Sequence, residues 1–157
     1  MLRQLAAALF SIGIAPPAVG DSDKGWTVYS AVEEGREVIL RYRASIPSWV
    51  KRETMPKLVV ITWHLPGTAE MPSRQESENI YEFEDILQAG VERERVGLLF
   101  MSTTGRGRVE WQYYAPSLES FMAAMNRSLQ GRAKYPVMVE FDSDPTWSSY
   151  ASITTGK

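Results

Sequence analysis

The stretch from Leu58 to Leu65 constrains the fold more than any other part of the sequence. It is almost continuously apolar and rich in β-branched residues. An apolar run of this length is typical of a strand that is buried on both faces. We therefore predict that this strand lies in the centre of a sheet.

Four more segments are typical of strands, and those at residues 37–43 and 108–114 alternate in the character of their side chains. They form two predicted hairpins, with strands at residues 26–32, 37–43, 96–103 and 108–114. The second hairpin turns at Gly105-Arg106-Gly107, where glycine permits the positive φ that a tight turn requires. One face of its last strand carries Trp111 and Tyr113, and the opposite face carries Glu110 and Gln112. We expect the second of these faces to be in contact with solvent.

Two amphipathic helices are predicted between these strands. Ser73 and Glu76 have the spacing of a capping box, so the first helix should begin there, and we expect it to end at Gly90. Ser117 caps the second helix, which has the clearest helical periodicity in the chain and should end at Gly131.

The C-terminal part completes the predicted fold. A last strand at residues 137–141 is followed by Asp144-Pro145, the cap and first-position proline of a short terminal helix. The latter part of the chain thus has the ferredoxin-like order βαββαβ, preceded by a β-hairpin. We predict a single α+β domain over residues 21–153 in which the helices cover one face of an antiparallel sheet. Residues 154–157 are expected to form a disordered tail.

The N-terminus has the features of a secretory signal peptide. Arg3 precedes an apolar stretch over residues 5–15, and Ala18-Val19-Gly20 offers small residues for cleavage after Gly20. The apolar stretch is shorter than the roughly 20 residues that are needed to span a bilayer. We therefore predict that residues 1–20 are removed. The mature protein is expected to be periplasmic or secreted, without stable membrane insertion.

Composition limits the possible function. The formal net charge of −2 creates no strong attraction to nucleic acid, so we predict no nucleic-acid partner. The chain has no cysteine, which excludes disulfides and thiolate chemistry. His64 is the only histidine, which excludes a metal site with several imidazoles. We predict neither a metal nor a cofactor.

Several side chains could form a binding site. Arg106 and Arg108 could hold an anion at the glycine-rich turn, although a simple hairpin explains the same residues, and Arg108 could instead pair with Glu84 or Asp144. Aromatic side chains could line a groove for an extended chain, or they could simply fill the core. The predicted binding residues are Glu84, Arg106, Arg108, Trp111, Tyr113, Asp144, Trp147 and Tyr150.

Four motifs together resemble a known bacterial family. They are Trp26 to Tyr29, Met71-Pro72-Ser73 with Glu84-Asp85, the turn at residues 104–108 that leads into Trp111-Gln112-Tyr113-Tyr114, and Asp144-Pro145-Thr146-Trp147-Ser148-Ser149-Tyr150. In this order they resemble the domain of unknown function 695 family (DUF695), over about residues 24–150. The resemblance implies an α+β fold. It implies no catalytic residue, because the family has no established activity.

Two classes of function follow from these observations. The first is a non-catalytic envelope domain that binds a protein or peptide through its sheet face or an exposed edge, around Arg108, Trp111 and Tyr113. The alternative is a hydrolase or small-ligand enzyme with His64 or Glu84 as general base beside an arginine. The alternative requires His64, Glu84 and Arg108 to converge in one concave pocket.

Overall fold

The computed structural model describes residues 25–155, so the predicted signal peptide lies outside the described residues. These residues form a six-stranded antiparallel sheet and three α-helices, which confirms the predicted α+β class. The strands are β1 (Trp26–Glu33), β2 (Arg36–Arg43), β3 (Lys57–His64), β4 (Leu98–Gly105), β5 (Arg108–Ala115) and β6 (Val137–Ser143). The helices are α1 (Arg74–Arg93), α2 (Leu118–Leu129) and α3 (Ser148–Thr154), and a short 3-10 helix spans Arg52–Thr54.

The strands lie in the order β1-β2-β4-β5-β3-β6, and every neighbouring pair is antiparallel. Strand β3 lies between β5 and β6, with Trp63 opposite both Val109 and Val137. The side chains of β3 are buried from Leu58 to Trp63. The prediction that this strand is buried on both faces is therefore confirmed, although the strand lies next to the edge strand β6 rather than in the centre of the sheet.

Helices α1 and α2 cover one face of the sheet. Both begin as predicted, since Ser73 and Glu76 form the full capping box of α1 and Ser117 accepts from the Ser120 N–H at the start of α2. Their apolar residues pack on alternate residues of the central strands. The large members of this core are Ile61, Trp63, Phe83, Leu87, Trp111, Tyr113 and Phe121.

The opposite face of the sheet is covered in part by α3, so the prediction that all helices lie on one face is wrong. Trp147 and Tyr150 of this C-terminal region pack with Leu58, Phe100 and Tyr114 in a second core. The segment between β2 and β3 contributes Ile46, Trp49, Val50 and Met55 to the same core. Burial of these large aromatic residues stabilises the terminal helix on this side of the sheet.

Three predicted boundaries also differ from the structure. Helix α1 continues through Gly90 to Arg93, and a Cβ at Gly90 would overlap the Ser128 hydroxyl of α2. Gly90 therefore allows close helix packing rather than ending the helix. Helix α3 begins at Ser148 instead of Pro145, and it includes Thr154, which had been expected in the disordered tail. None of the described helices is long and apolar enough to cross a membrane.

Candidate functional site

Arg106 connects the two hairpins of the sheet. Its guanidinium lies 2.9 Å from the Glu33 carboxylate and 3.4 Å from that of Glu34. Arg106 has a φ of 56°, and the next residue, Gly107, has a φ of 80°. A Cβ at Gly105 would lie 2.5 Å from the Glu37 carbonyl oxygen. The turn at residues 105–107 is thus a tight hairpin junction whose arginine is neutralised by glutamates.

Glu84 lies at the centre of a buried polar cluster between α1 and the sheet. Its carboxylate accepts a hydrogen bond of 2.7 Å from the Trp111 indole N–H and forms an ion pair with Arg41. Further along α1, Arg43 lies 2.7 Å from the carboxylate of Glu92. Glu84 therefore pairs with Arg41 of β2 and not with Arg108.

The aromatic members of this cluster are part of the core. Trp111 and Tyr113 are fully buried, so a partner cannot reach them in this structure. Among residues 25–155, the Tyr113 hydroxyl has no hydrogen-bond partner. Burial raises the pKa of Tyr113 well above its usual range, and the negative charges of Glu84 and Glu92 raise it further.

Asp144 is the hydrogen-bonding centre of the C-terminal motif. Its carboxylate accepts from the Tyr114 hydroxyl at 2.6 Å and from the N–H groups of Ser148 and Ser149 at 2.9 and 3.0 Å. Burial acts to raise the pKa of Asp144, but the hydrogen bonds, led by that from Tyr114, lower it overall. Asp144 therefore satisfies the first two N–H groups of α3, although that helix begins later than predicted.

Trp147 and Tyr150 complete the C-terminal motif. The ring of Trp147 stacks on Tyr114 with centroids 4.0 Å apart, and its indole N–H donates to the Met55 carbonyl at 2.9 Å. The Tyr150 hydroxyl donates to the Arg43 carbonyl at 3.0 Å. Trp147 is fully buried. The motif thus fastens α3 to the sheet.

A polar patch that the sequence analysis missed lies on the α3 side of the sheet, and we call it the Glu110 patch. It consists of Thr62, His64, Arg108, Glu110 and Gln112, which share this face through the β3–β5 register. Glu110 is only 3% exposed and Gln112 only 2%, so the expectation that they contact solvent is wrong. Strand β5 lies in the interior of the sheet, between β4 and β3. Polar alternation in a strand does not reveal such a position.

Within the Glu110 patch, the polar side-chain atoms of Glu110 and Gln112 are buried. The Gln112 amide donates to the Glu110 carboxylate at 3.0 Å, while the Gln112 side-chain oxygen has no hydrogen-bond partner in the described part of the chain. Burial raises the pKa of Glu110, whereas Gln112 and Arg108 lower it and Glu140 raises it again. The Arg108 guanidinium is 3.9 Å from the Glu110 carboxylate, so it neutralises that charge weakly.

The substitution Glu110→Gln should increase the free energy of unfolding near neutral pH. The raised pKa means that the folded state holds its proton more tightly than the unfolded chain, so the ionised carboxylate reduces stability above the ordinary pKa of 4.5. Below that value both states bind the proton, and the gain should vanish. Urea unfolding of the wild type and of Glu110→Gln, at neutral pH and below pH 4.5, measures the difference in their free energies of unfolding. A gain that is independent of pH, or one also seen in the exposed control Glu53→Gln, would contradict the assignment.

His64, Glu84 and Arg108 do not converge in one pocket, as the enzymatic alternative would require. His64 lies opposite Arg108 across the β3–β5 pair, on the face that carries α3. Glu84 binds Trp111 on the other face of the sheet. Within residues 25–155, no three Asp, Glu or His side chains are grouped in a way that could hold a metal ion.

Strand β6 forms one edge of the sheet and has open backbone groups. The Asp144 N–H donates to the Pro56 carbonyl at 2.8 Å, which continues the pairing of β6 with β3. Because successive residues of a strand point their backbone groups to opposite sides, Val139 and Phe141 direct their N–H and C=O groups away from β3. On either side of them, the Val137 and Ser143 N–H groups are occupied by the Tyr135 carbonyl and the Asp142 carboxylate.

The side chains of β6 also include exposed apolar groups. Phe141 is 54% exposed and Met138 is 49% exposed, one on each face of the sheet. Glu140 and Asp142 lie on the same face as Met138. The edge of β6 thus combines open backbone groups with exposed apolar side chains and two carboxylates.

Comparison with known protein families supports the family resemblance that the sequence motifs indicate. A search of curated proteins gave no match. The model of a family described as "Family of unknown function (DUF695)" matches residues 24–153. This match includes all six strands and both long helices. The chain therefore belongs to the DUF695 family.

Proposed function

We propose that this protein is a non-catalytic binding module of the bacterial envelope that takes up an extended peptide segment of another protein at strand β6. The open N–H and C=O groups of Val139 and Phe141 carry this proposal. A peptide in β conformation would hydrogen-bond to them and extend the sheet by one strand, a recurring mode of peptide recognition. The envelope location rests on the N-terminal sequence, which has the features of a secretory signal peptide.

The side chains along β6 support this choice of surface. Natural proteins usually protect sheet edges with charges, proline or a covering element, because open edges recruit further strands. Strand β6 has two such charges, Glu140 and Asp142, but Phe141 and Met138 still leave apolar surface beside the open backbone groups. An added strand would cover both side chains, so its binding would bury apolar area as well as form backbone hydrogen bonds.

The opposite edge of the sheet, β1, is a poorer candidate. The aromatic side chains of β1 are already engaged, since Tyr29 stacks on Tyr42 and Trp26 contacts the guanidinium groups of Arg41 and Arg43. Its large exposed apolar residue, Val32, lies at the end of the strand beside the hairpin turn. The centre of β1 therefore offers less open apolar surface than the centre of β6.

The substitution Phe141→Pro tests this function. Proline removes the N–H that points away from β3, and edge strands tolerate proline at such positions. The expected result is binding about tenfold weaker for a labelled peptide that alternates threonine and valine, through loss of a backbone hydrogen bond and apolar contact. Fluorescence anisotropy measures the affinity.

The matched control is Phe141→Ala, which removes the aromatic ring but keeps the N–H. It should weaken peptide binding less than Phe141→Pro does. Circular dichroism and thermal unfolding establish that both variants remain folded. Equal binding of the peptide by wild type and the folded proline variant would show that β6 is not the docking edge.

A further inference from the structure

We propose that the partner strand recognised at β6 alternates apolar and basic side chains. This inference rests on the proposed function and adds the chemistry of the partner. Side chains on an added strand lie directly beside those of β6, with Cβ atoms about 4.5–5.5 Å apart. The two faces of β6 therefore specify two different kinds of neighbour.

The face of β6 that lies towards α1 and α2 is apolar. Val137 and Val139 pack against the core on this side, and Phe141 continues their row as an exposed ring. An apolar side chain on the added strand would cover Phe141 and extend the core beyond the edge. Every second residue of the partner should therefore be apolar.

The other face of β6 is acidic. It carries Glu140 and Asp142 beside Met138, and β6 contains neither lysine nor arginine. The Asp142 carboxylate accepts from the Ser143 N–H at 2.7 Å, and this N–H points away from β3. The carboxylate thus lies at the outer rim, where an added strand would pass. Glu110 adds a third carboxylate to the same face, with Arg108 only 3.9 Å away as its partly neutralising neighbour.

Lysine or arginine is the side chain that fits this rim. Opposite charges across neighbouring strands stabilise pairing, and like charges that face each other destabilise it. A second copy of this chain fits less well for that reason. Antiparallel pairing of two β6 strands centred on Glu140, which gives the longest overlap, would place Glu140 opposite itself, and pairing centred on Phe141 would place Glu140 opposite Asp142. Pairing centred on Val139 avoids facing carboxylates but places Glu140 opposite the apolar Met138.

Three synthetic peptides of about eight residues, the length of a typical strand, test the inference. Each alternates valine with one other residue, which is lysine, threonine or glutamate. We expect the lysine peptide to bind about fivefold tighter than the threonine peptide, and the glutamate peptide to bind most weakly. The advantage of lysine should shrink at high salt, because exposed charges are screened.

The double variant Glu140→Lys, Asp142→Lys should reverse this order, so that the glutamate peptide binds best. The control variant Glu53→Lys, Asp85→Lys makes the same change of charge at exposed positions outside β6 and should keep the original order. Reversal in the first variant and not in the second would establish the acidic rim as the selective element.

The outcomes separate this inference from the proposed function. Equal affinities for the three peptides, with binding still weakened by Phe141→Pro, would overturn the basic partner and leave the docking edge intact. Absence of binding by all three peptides would overturn both. Self-association of the protein that Phe141→Pro abolishes, measured by analytical ultracentrifugation, would identify a second copy as the occupant and overturn the basic partner.

Discussion

The substitution Trp147→Ala is expected to lower the free energy of unfolding by about 3–5 kcal/mol, as is usual when a buried tryptophan is truncated. The indole is fully buried, stacks on Tyr114 and donates its N–H to the Met55 carbonyl. Truncation would leave a cavity and an unpaired carbonyl, and it would release α3 from the sheet. Urea unfolding followed by circular dichroism measures the loss.

Two comparisons make this result specific. Trp147→Phe keeps an aromatic ring against Tyr114 but lacks the N–H. It should therefore lower the free energy of unfolding clearly less than Trp147→Ala does. Tyr81→Ala removes an aromatic side chain that is 61% exposed, and its effect should stay within about 0.5 kcal/mol. If Trp147→Ala were as mild as Tyr81→Ala, the C-terminal motif would not fasten the fold.

The substitution Glu84→Ala is expected to lower the free energy of unfolding by about 2–4 kcal/mol. It removes the buried acceptor of the Trp111 N–H and leaves the Arg41 charge without its partner. Breaking a fully buried ion pair typically costs 3–5 kcal/mol. We expect a smaller loss than that because the Arg41 side chain is 30% exposed and water can still solvate it.

A double-mutant cycle distinguishes the ion pair from the indole hydrogen bond. If the unpaired charge dominates, the combination of Arg41→Met with Glu84→Ala should cost less than the sum of the two single substitutions. Glu84→Gln keeps an acceptor for Trp111, so its free energy of unfolding should lie between those of the wild type and Glu84→Ala. Simple additivity of Arg41→Met and Glu84→Ala would mean that the ion pair contributes little to stability.

Much of the fold could be predicted because the signals are local. The apolar run of β3 and the capping box at Ser73 and Glu76 each lie within a few residues of sequence, and the structure confirms both. The side of the sheet on which α3 packs depends on contacts with distant residues. Trp147 bonds to Met55, 92 residues earlier, and no local pattern of α3 specifies that partner.

The candidate site was harder to predict than the fold. Glu84 could be singled out because it lies near the apolar side of its helix, but its partner Arg41 comes from a strand 43 residues earlier. The alternation of Glu110 and Gln112 with Trp111 and Tyr113 is typical of a strand with one solvent-exposed face, so the pattern predicts solvent contact for these two polar residues. Their burial follows from the order of strands in space, which the sequence pattern does not contain.

The position of β3 has a consequence for how the protein folds. This most apolar strand pairs only with β5 and β6, as in the alignment of Trp63 with Val109 and Val137, so its hydrogen bonds join segments far apart in sequence. Closing such long loops slows folding, because entropy is lost before the contacts form. An emerging chain must therefore keep β3 unpaired until β5 has been synthesised, and its second neighbour, β6, follows later still. During that interval the apolar strand is exposed to aggregation and suited to recognition by a chaperone.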